Sequence, residues 1–210
     1  MPTRQAGSGD GRVAQKRRTR QAIIAATQRL LADGHTPSID EIAAAADVSR
    51  RTIYMYFPTI DQLLIDATSG LLSERTVEPL LASPDLSPDP RERVDALARS
   101  LLELAPEALP LGRRMLKLTV DSELPSASPR RGYRRMEWIA RVLEPLRGQL
   151  DDEQLERLTS ALAIVLGWEA MIVLRDTRGL GPAEEERVIR WAARALVTVM
   201  LDEAGSTLPS

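Results

Sequence analysis

The sequence predicts an all-α protein, and three observations support that prediction. Apolar residues recur at three- and four-residue spacings, as they do on one face of an amphipathic helix. The helix-forming stretches are interrupted by clusters of Gly, Pro and Ser, and no stretch sustains the alternation of a β-strand. The 210 residues are 43% hydrophobic but only 3% aromatic, so we expect a core mainly of Leu, Ala, Val and Ile.

The N-terminal region combines a polar segment with the first helix. Residues 1–15 are rich in Gly, Ser and polar side chains, which predicts a disordered basic arm. The basic run at residues 16–20 leads into a helix with Ile23 and Ile24 on its apolar face. Asp33-Gly34 marks the end of that helix, because glycine readily adopts the left-handed conformation that follows a helix.

Two short helices joined by a tight turn are predicted next. Ser38 and Glu41 have the spacing of a capping box, which begins the first of them. Asp47 stands where the chain turns, and Ser49 can cap the second helix. That helix begins with Arg-Arg-Thr at residues 50–52 and is stopped by a proline. The layout is that of a helix-turn-helix, whose second helix enters the major groove of DNA.

Residues 17–64 resemble the N-terminal domain of the tetracycline-repressor (TetR) family. Two positions depart from the family pattern: Asp47 replaces a common glycine in the turn, and Ile60 replaces a common lysine that contacts phosphate. The resemblance implies a DNA-binding domain over residues 16–58, then a helical effector-binding and dimerisation domain over residues 59–204. The matching positions are Ile23, Ala26, Gly34, Ile42, Ala43, Val48, Ser49, Thr52, Ile53, Tyr54, Tyr56 and Phe57.

Candidate DNA contacts follow from the chemistry of these positions and from the resemblance. Arginine can bind guanine O6 and N7 with two hydrogen bonds, whereas hydroxyl groups suit phosphate oxygens. Arg17 and Arg20 are candidate backbone contacts, although a disordered basic tail explains them equally well. A solvated face remains the alternative for the recognition-helix arginines. The full candidate set is Arg17, Arg20, Ser38, Ser49, Arg50, Arg51, Thr52, Tyr54, Met55 and Tyr56.

The middle of the chain is punctuated by prolines. A fourth, connecting helix is predicted from Ile60 to about Leu81, before the loop ASPDLSPDP. Asp89-Pro90 provides an N-cap and an N1 proline for a fifth helix. Pro106 and Pro110 are expected to break it, with a new helix over residues 111–121. The sequence LPSASP predicts a second loop, followed by a helix over about residues 130–144.

Two long helices complete the prediction. The first is capped by Asp151 and Gln154 and is expected to continue to about Thr177. The second spans about residues 183–204 and is followed by a flexible tail over 205–210. The first is apolar nearly all round, so more than one of its faces must be covered. In the resembling family these helices pair with their symmetry mates; the alternative is that they serve only the internal core. The candidate dimer residues are Leu162, Val165, Glu169, Val188, Trp191, Ala195, Leu196 and Val199.

The resemblance also implies an effector pocket between residues 97 and 175. A mostly apolar lining with a few polar groups would favour a hydrophobic or aromatic ligand. Apolar residues at helical spacing are also what an ordinary core requires, so both interpretations stay open. The candidates are Met115, Leu118, Trp138, Arg141, Val142, Trp168, Met171 and Arg175.

Composition argues against several classes of protein. There is no cysteine and a single histidine, so disulfides, thiolate metal sites and Ser-His-Asp catalysis have little material. We therefore expect no catalytic residues, metal or cofactor. The apolar run at residues 161–174 contains Glu169 and is too short for a bilayer, and residues 1–15 lack the apolar core of a signal peptide. These features predict a cytoplasmic protein with no membrane partner.

The charge is uneven, and its distribution fits localised contact with nucleic acid. Residues 1–58 hold nine basic and five acidic side chains, whereas the whole chain carries a net charge of -2. The sequence hypothesis is a homodimeric regulator that binds a palindromic operator in double-stranded DNA and is released by a small effector. The alternative is a ligand-binding or scaffold protein of the same fold with weak or absent specific DNA binding.

Overall fold

The structure, a computed structural model, describes residues 8–33, 36–120 and 132–206. The regular structure of these residues is helical, as the sequence predicted, and the chain divides into two compact units at Leu71 and Leu72. The N-terminal unit contains α1 (Ser8–Ala32), α2 (Ile39–Ala45), α3 (Arg50–Tyr56) and the first half of α4 (Ile60–Ala82).

The N-terminal unit is built around a small aliphatic core. Ile42 of α2 and Ile53 of α3 are fully buried, and Phe57, just after α3, is buried with them. The core also includes Leu63 and Ala67 of α4. The division between the units therefore lies within α4 rather than at residues 58–59, because the first turns of α4 complete the small core.

Side-chain caps set the helix boundaries of this unit. The Ser38 hydroxyl accepts from the Glu41 amide, and the Glu41 carboxylate accepts from the Ser38 amide at 2.8 Å, which forms the predicted capping box. Asp47 adopts a left-handed conformation with φ of 52°, a geometry that Asp tolerates better than most residues. Thr59 caps α4 by accepting from the Gln62 amide at 3.2 Å. The predicted local signals are confirmed here.

The predicted disordered arm is wrong from Ser8 onward, since α1 begins there. Local contacts lie where the predicted arm meets the helix: the Gln15 carbonyl accepts from the Thr19 hydroxyl at 3.1 Å, and the Gln15 side chain accepts from Arg18 at 2.8 Å. The remainder of the arm and the predicted stop at Gly34 lie outside the described residues.

The C-terminal unit, called the body below, packs its helices around a second aliphatic core. After α4 come α5 (Pro90–Glu103), α6 (Ala105–Thr119) and α7 (Tyr133–Val142). A short 3₁₀ turn at Glu144–Leu146 precedes α8 (Asp152–Val165) and α9 (Trp168–Ile172), which continues into a π-helical turn at Val173–Thr177. The last helix is α10 (Pro182–Ser206), which packs on α5 and α8.

Two boundaries in the body differ from the predictions made around proline and at the chain end. Helix α6 begins at Ala105, not at residue 111, because Pro106 stands in its first turn, where no amide donor is needed. Pro110 lies inside the same helix, at the cost of one backbone hydrogen bond. The predicted tail also starts too early, since Gly205 and Ser206 still belong to α10. Residues 207–210 and the LPSASP loop are outside the described part of the chain.

The long helix predicted after Asp151 is broken in the structure. The chain is extended at Gly167, and α9 then starts at Trp168. A Cβ added to Gly167 would lie 1.6 Å from Arg135 Nη1, so the guanidinium occupies the space that a larger residue would need. Arg135 is held there by Glu169 at 2.7 Å. The break therefore depends on a contact from α7 that the local sequence does not reveal.

Within the described residues, no single helix is both long and apolar enough to cross a bilayer. The bent pair α8 and α9 meets the length and composition test only when its two parts are combined.

Candidate nucleic-acid interface

Helix α3 separates buried residues from outward-facing ones over only two turns. Ile53 is buried in the small core, whereas Tyr54 and Met55 are 49% and 66% exposed. Arg51 is also exposed and forms no ion pair with any described residue. A short helix that leaves a large aromatic, a methionine and an arginine in solvent has an outer face available for a partner.

The two arginines at the start of α3 have different surroundings. Arg50 forms an ion pair with Asp40 of α2 through its Nε atom, and both side chains remain largely in solvent. Arg51, one position later, keeps its guanidinium free of any acidic partner in the described residues. Of the two predicted base contacts, Arg51 is therefore the one already available to an incoming ligand.

The hydroxyl groups at the helix N-termini are engaged in capping. Ser49 accepts from the Thr52 amide at 3.0 Å, and its hydroxyl lies 2.8 Å from the Thr52 hydroxyl. The Ser38 hydroxyl donates to the Glu41 carboxylate at 2.7 Å. These groups still lie at exposed helix starts, where backbone amides can donate to a phosphate oxygen.

Arg20 is engaged within the N-terminal unit in this structure, and its contact with DNA stays a prediction. Its guanidinium pairs with Asp66 of α4 and lies 4.8 Å from the centre of the Phe57 ring. Only 11% of the Arg20 side chain is exposed, so the group stabilises the packing of α1 on α4. Arg17, by contrast, lies on the exposed surface of α1 together with Lys16 and Arg18.

Two further residues, Tyr56 and Ile60, pack partly against the small core. Tyr56 is half-buried and packs against the core, so only part of its surface is free for the predicted phosphate contact. Ile60, which replaces the lysine of the family pattern, also packs against that core. The substitution exchanges a charged group at the start of α4 for apolar packing.

The sequence of the helix-turn-helix is similar to that of a known protein family. A family profile described as bacterial regulatory proteins of the tetR family matches residues 23–67, which span the helix-turn-helix and the first turns of α4. Over these residues the chain is similar to the tetR family of regulatory proteins.

One curated relative and two solved structures show how far the similarity extends. The HTH-type transcriptional repressor LfrR of Mycolicibacterium smegmatis is 37% identical over 90 residues, which is 42% of this chain and 44% of that repressor. The match therefore spans less than half of the relative. A TetR transcriptional regulator from Rhodococcus sp. RHA1 has a TM-score of 0.52 at 19% identity, covering 86% of this chain and 96% of its own, and thus shares the fold. A structure from Mesorhizobium loti MAFF303099 covers 88% and 97% at 21% identity with a TM-score of 0.41.

The body gives the predicted pocket residues several different environments. Val142 and Met171 are buried in the core, and Met115 and Leu118 are partly buried on α6. Trp168 lies against Gly112, where an added Cβ would be 2.3 Å from the indole ring. These placements are those of core packing, and the effector pocket stays a prediction.

The polar candidates for the pocket are engaged in ion pairs. Trp138 Nε1 and Arg141 Nη1 donate to the two oxygens of Glu78 on α4, at 2.9 and 2.7 Å. Arg175, predicted as a polar anchor, instead binds Glu185 at the start of α10 with two donors. Because Glu185 is fully buried, its negative charge is stabilised by pairing with the Arg175 guanidinium. Arg175 is therefore not free to bind an effector in this structure.

The predicted dimer residues also separate into two groups. Leu162 is buried in the core of the body, which contradicts its assignment to an interface, and Leu196 packs partly against that core. Glu169 is paired with Arg135. Val188, Trp191 and Val199 are exposed on α10, and Val165 and Ala195 are partly exposed. Ile164 of α8 is exposed but was not among the predicted dimer residues. Apolar residues lie nearly all round α8, so the sequence did not show which of its faces is exposed.

Proposed function

We propose that this chain is a cytoplasmic DNA-binding transcriptional repressor of the TetR family that binds a palindromic operator as a homodimer and is released by a small, hydrophobic effector. The observation that supports DNA binding is the outer face of α3. Arg51, Tyr54 and Met55 stand in solvent above the buried Ile53, on the second helix of a helix-turn-helix. The similarity to a protein named as a repressor supports repression.

The proposed roles on α3 follow from the geometry of the donors. Arg51 has a planar guanidinium with several donors and no acidic partner in the described residues, so it suits two-bond contact with guanine. Tyr54 and the helix N-terminus near Ser49 suit phosphate oxygens, which position the helix without reading sequence. Arg17 and Lys16 add positive charge on the exposed face of α1. Base reading and backbone contact are thus assigned to different groups.

The test of base reading uses two substitutions at Arg51. Fluorescence anisotropy would measure binding to duplexes from the region upstream of the gene and to randomised duplexes, across a salt series. Arg51→Ala should weaken operator binding by about 1–3 kcal/mol and relax preference at one base pair. Arg51→Lys keeps the charge but loses the planar fork, so it should lose most of the preference as well.

A matched control separates base reading from charge alone. Arg29→Ala removes the same charge from the last turn of α1 and should change operator binding little. Equal losses for Arg51→Ala on operator and random DNA would contradict base reading and favour phosphate contact. Weak binding without preference by the unaltered chain, on every duplex tried, would favour the ligand-binding or scaffold alternative.

The homodimer is supported by the exposed apolar side chains of α8 and α10. Trp191 is 72% exposed on α10, and Ile164 of α8 is 74% exposed. Val199 of α10 is exposed as well, and α8 and α10 pack on each other. A contiguous exposed apolar patch usually marks a protein contact. A two-fold dimer would place two recognition helices on half-sites about one helical turn, roughly 34–36 Å, apart.

The dimer is tested by adding charge to that surface. Trp191→Glu should shift the chain from dimer to monomer in sedimentation equilibrium and abolish operator binding, because a desolvated carboxylate opposes association. Val120→Glu is the control, since Val120 is comparably exposed but lies at the end of α6. A Trp191→Glu chain that still sediments as a dimer would reject this surface as the interface.

The effector part of the proposal rests on the family resemblance and on the apolar residues that helices α6 to α9 contribute to the core of the body. A screen of hydrophobic and aromatic compounds for release of bound operator DNA would test it. Ligand must favour one of two states of the protein, so a compound that binds without changing operator affinity is not the effector.

A further inference from the structure

The ion pair between Asp40 and Arg50 joins the first turns of the two helices of the helix-turn-helix. Asp40 is the second residue of α2, and Arg50 is the first residue of α3. The side chains are 59% and 63% exposed, so water solvates both groups and the pair adds little to folding stability. A pair of this kind is held weakly and can exchange its partner.

The pair changes the electrostatics of the surface proposed to face DNA. Arg50 is accompanied by a carboxylate, whereas Arg51 has no acidic partner among the described residues. At distances beyond a few ångström, the opposite charges of Asp40 and Arg50 largely cancel. Arg50 therefore attracts the uniform phosphate charge of DNA much less than Arg51 does.

Arg50 leaves the carboxylate of Asp40 only for a partner that binds its guanidinium more favourably. A phosphate that takes the place of this carboxylate must also approach the negative charge of Asp40. A guanine base edge carries two acceptors and no net charge, so it gains two hydrogen bonds from a guanidinium with less repulsion from the nearby acid. The exchange thus favours a base over an arbitrary stretch of backbone.

We propose that Asp40 is a specificity-determining positioning residue, which holds Arg50 against α2 unless a base with two acceptors is presented. Asp40 does so by acting through Arg50 and lowers affinity for random DNA more than affinity for the operator. The proposal rests on the DNA-binding function proposed above and extends it, because it assigns discrimination to an acidic side chain on α2.

The test compares operator and random duplexes for Asp40→Asn in the full-length chain. Freed from its carboxylate, Arg50 should gain one phosphate contact per subunit on random DNA. Binding to random DNA should tighten about tenfold per subunit at 0.1 M salt, and its salt slope should steepen by about 0.9 per subunit. Operator affinity should change less, so the ratio of the two affinities should fall.

Three companion variants distinguish this mechanism from a general change of charge. Asp47→Asn removes the same charge from the exposed turn of the same unit, and Asn also tolerates the left-handed conformation there. It should leave the affinity ratio unchanged. Asp40→Glu retains a carboxylate and should restore the ratio. In an Arg50→Ala background, Asp40→Asn should no longer change the ratio, because its partner is absent.

The outcomes separate failure of this proposal from failure of the proposed function. An equal change on both duplexes, an effect matched by Asp47→Asn, or an effect that persists in Arg50→Ala would each overturn the role of Asp40. Thermal melting should show all variants folded, and Asp40→Ala removes the same carboxylate if Asp40→Asn melts early. If the unaltered chain prefers no duplex, the DNA-binding function itself fails.

Discussion

The short helices α2 and α3 of the N-terminal unit and the long helices of the body are positioned by different polar contacts. In the N-terminal unit, caps such as Ser38 with Glu41 and Ser49 with Thr52 act over three residues. In the body, the Arg190 guanidinium reaches Asp95 across 95 positions, at 2.8 and 2.9 Å. The first kind of contact sets where a short helix starts, and the second ties long helices together.

This difference leaves different groups free at the surface. The small unit satisfies its short helices with local caps, so the outer face of α3 keeps Arg51 and Tyr54 in solvent. The body engages arginines in fixed pairs, including Arg135 with Glu169 and Arg175 with Glu185. Arginine content alone therefore does not identify a binding surface. Whether a guanidinium is free to bind a ligand depends on the carboxylates that approach it.

Removal of a buried partner in the body should have the largest effect on stability. Glu185→Ala leaves the Arg175 guanidinium without its acceptor, and we expect a loss toward the lower end of roughly 3–5 kcal/mol, since Arg175 keeps some contact with water. Urea denaturation would measure it. Glu186→Ala removes a partly exposed acid next to it, and because Arg190 keeps Asp95, the loss should be a few tenths of a kcal/mol. Equal losses for the two variants would contradict the distinction.

A core substitution in the small unit should come next and should affect that unit alone. Ile53→Ala removes a fully buried side chain, with an expected cost of roughly 2–5 kcal/mol. Hydrogen exchange resolved by peptide should show α2 and α3 opening while α8 and α10 stay protected. Met55→Ala, on the exposed side of α3, is the control and should leave exchange unchanged. Parallel loss of protection in both units would mean that they unfold together.

The smallest effect is expected at Glu78 and depends on pH. Burial alone would raise the pKa of this carboxyl, but hydrogen bonds from Arg141 and Trp138, with the charges of Arg141 and Arg134, lower it below the ordinary 4.5. A carboxyl with a lowered pKa stabilises the fold above its unfolded value and loses that contribution as pH falls through the lowered one. Glu78→Gln should therefore melt earlier than the unaltered chain at pH 7, and the difference should shrink below pH 4.5. A difference independent of pH would point to lost packing instead.

Much of the small unit could be predicted from short-range sequence signals. The caps at Ser38 and Ser49 and the turn at Asp47 lie where the sequence placed them. Each signal works because the side chain and the amide it binds are at most a few residues apart, so the backbone itself brings them together.

What the sequence did not show at Arg20, Leu162 and the break before α9 has one physical cause, which is a partner remote in sequence. Arg20 looked like a surface cation until Asp66 and Phe57 enclosed it, and Leu162 looked equally suited to an interface or a core. The pair of Asp40 with Arg50 also joins separate helices, so capping patterns do not reveal it. The sequence by itself determined the all-α class, the helix-turn-helix and the helix starts, because these depend on local spacing and capping. Only the tertiary structure decided which arginines stay free and which apolar face of α8 remains exposed, because those outcomes depend on which distant side chains come within bonding distance.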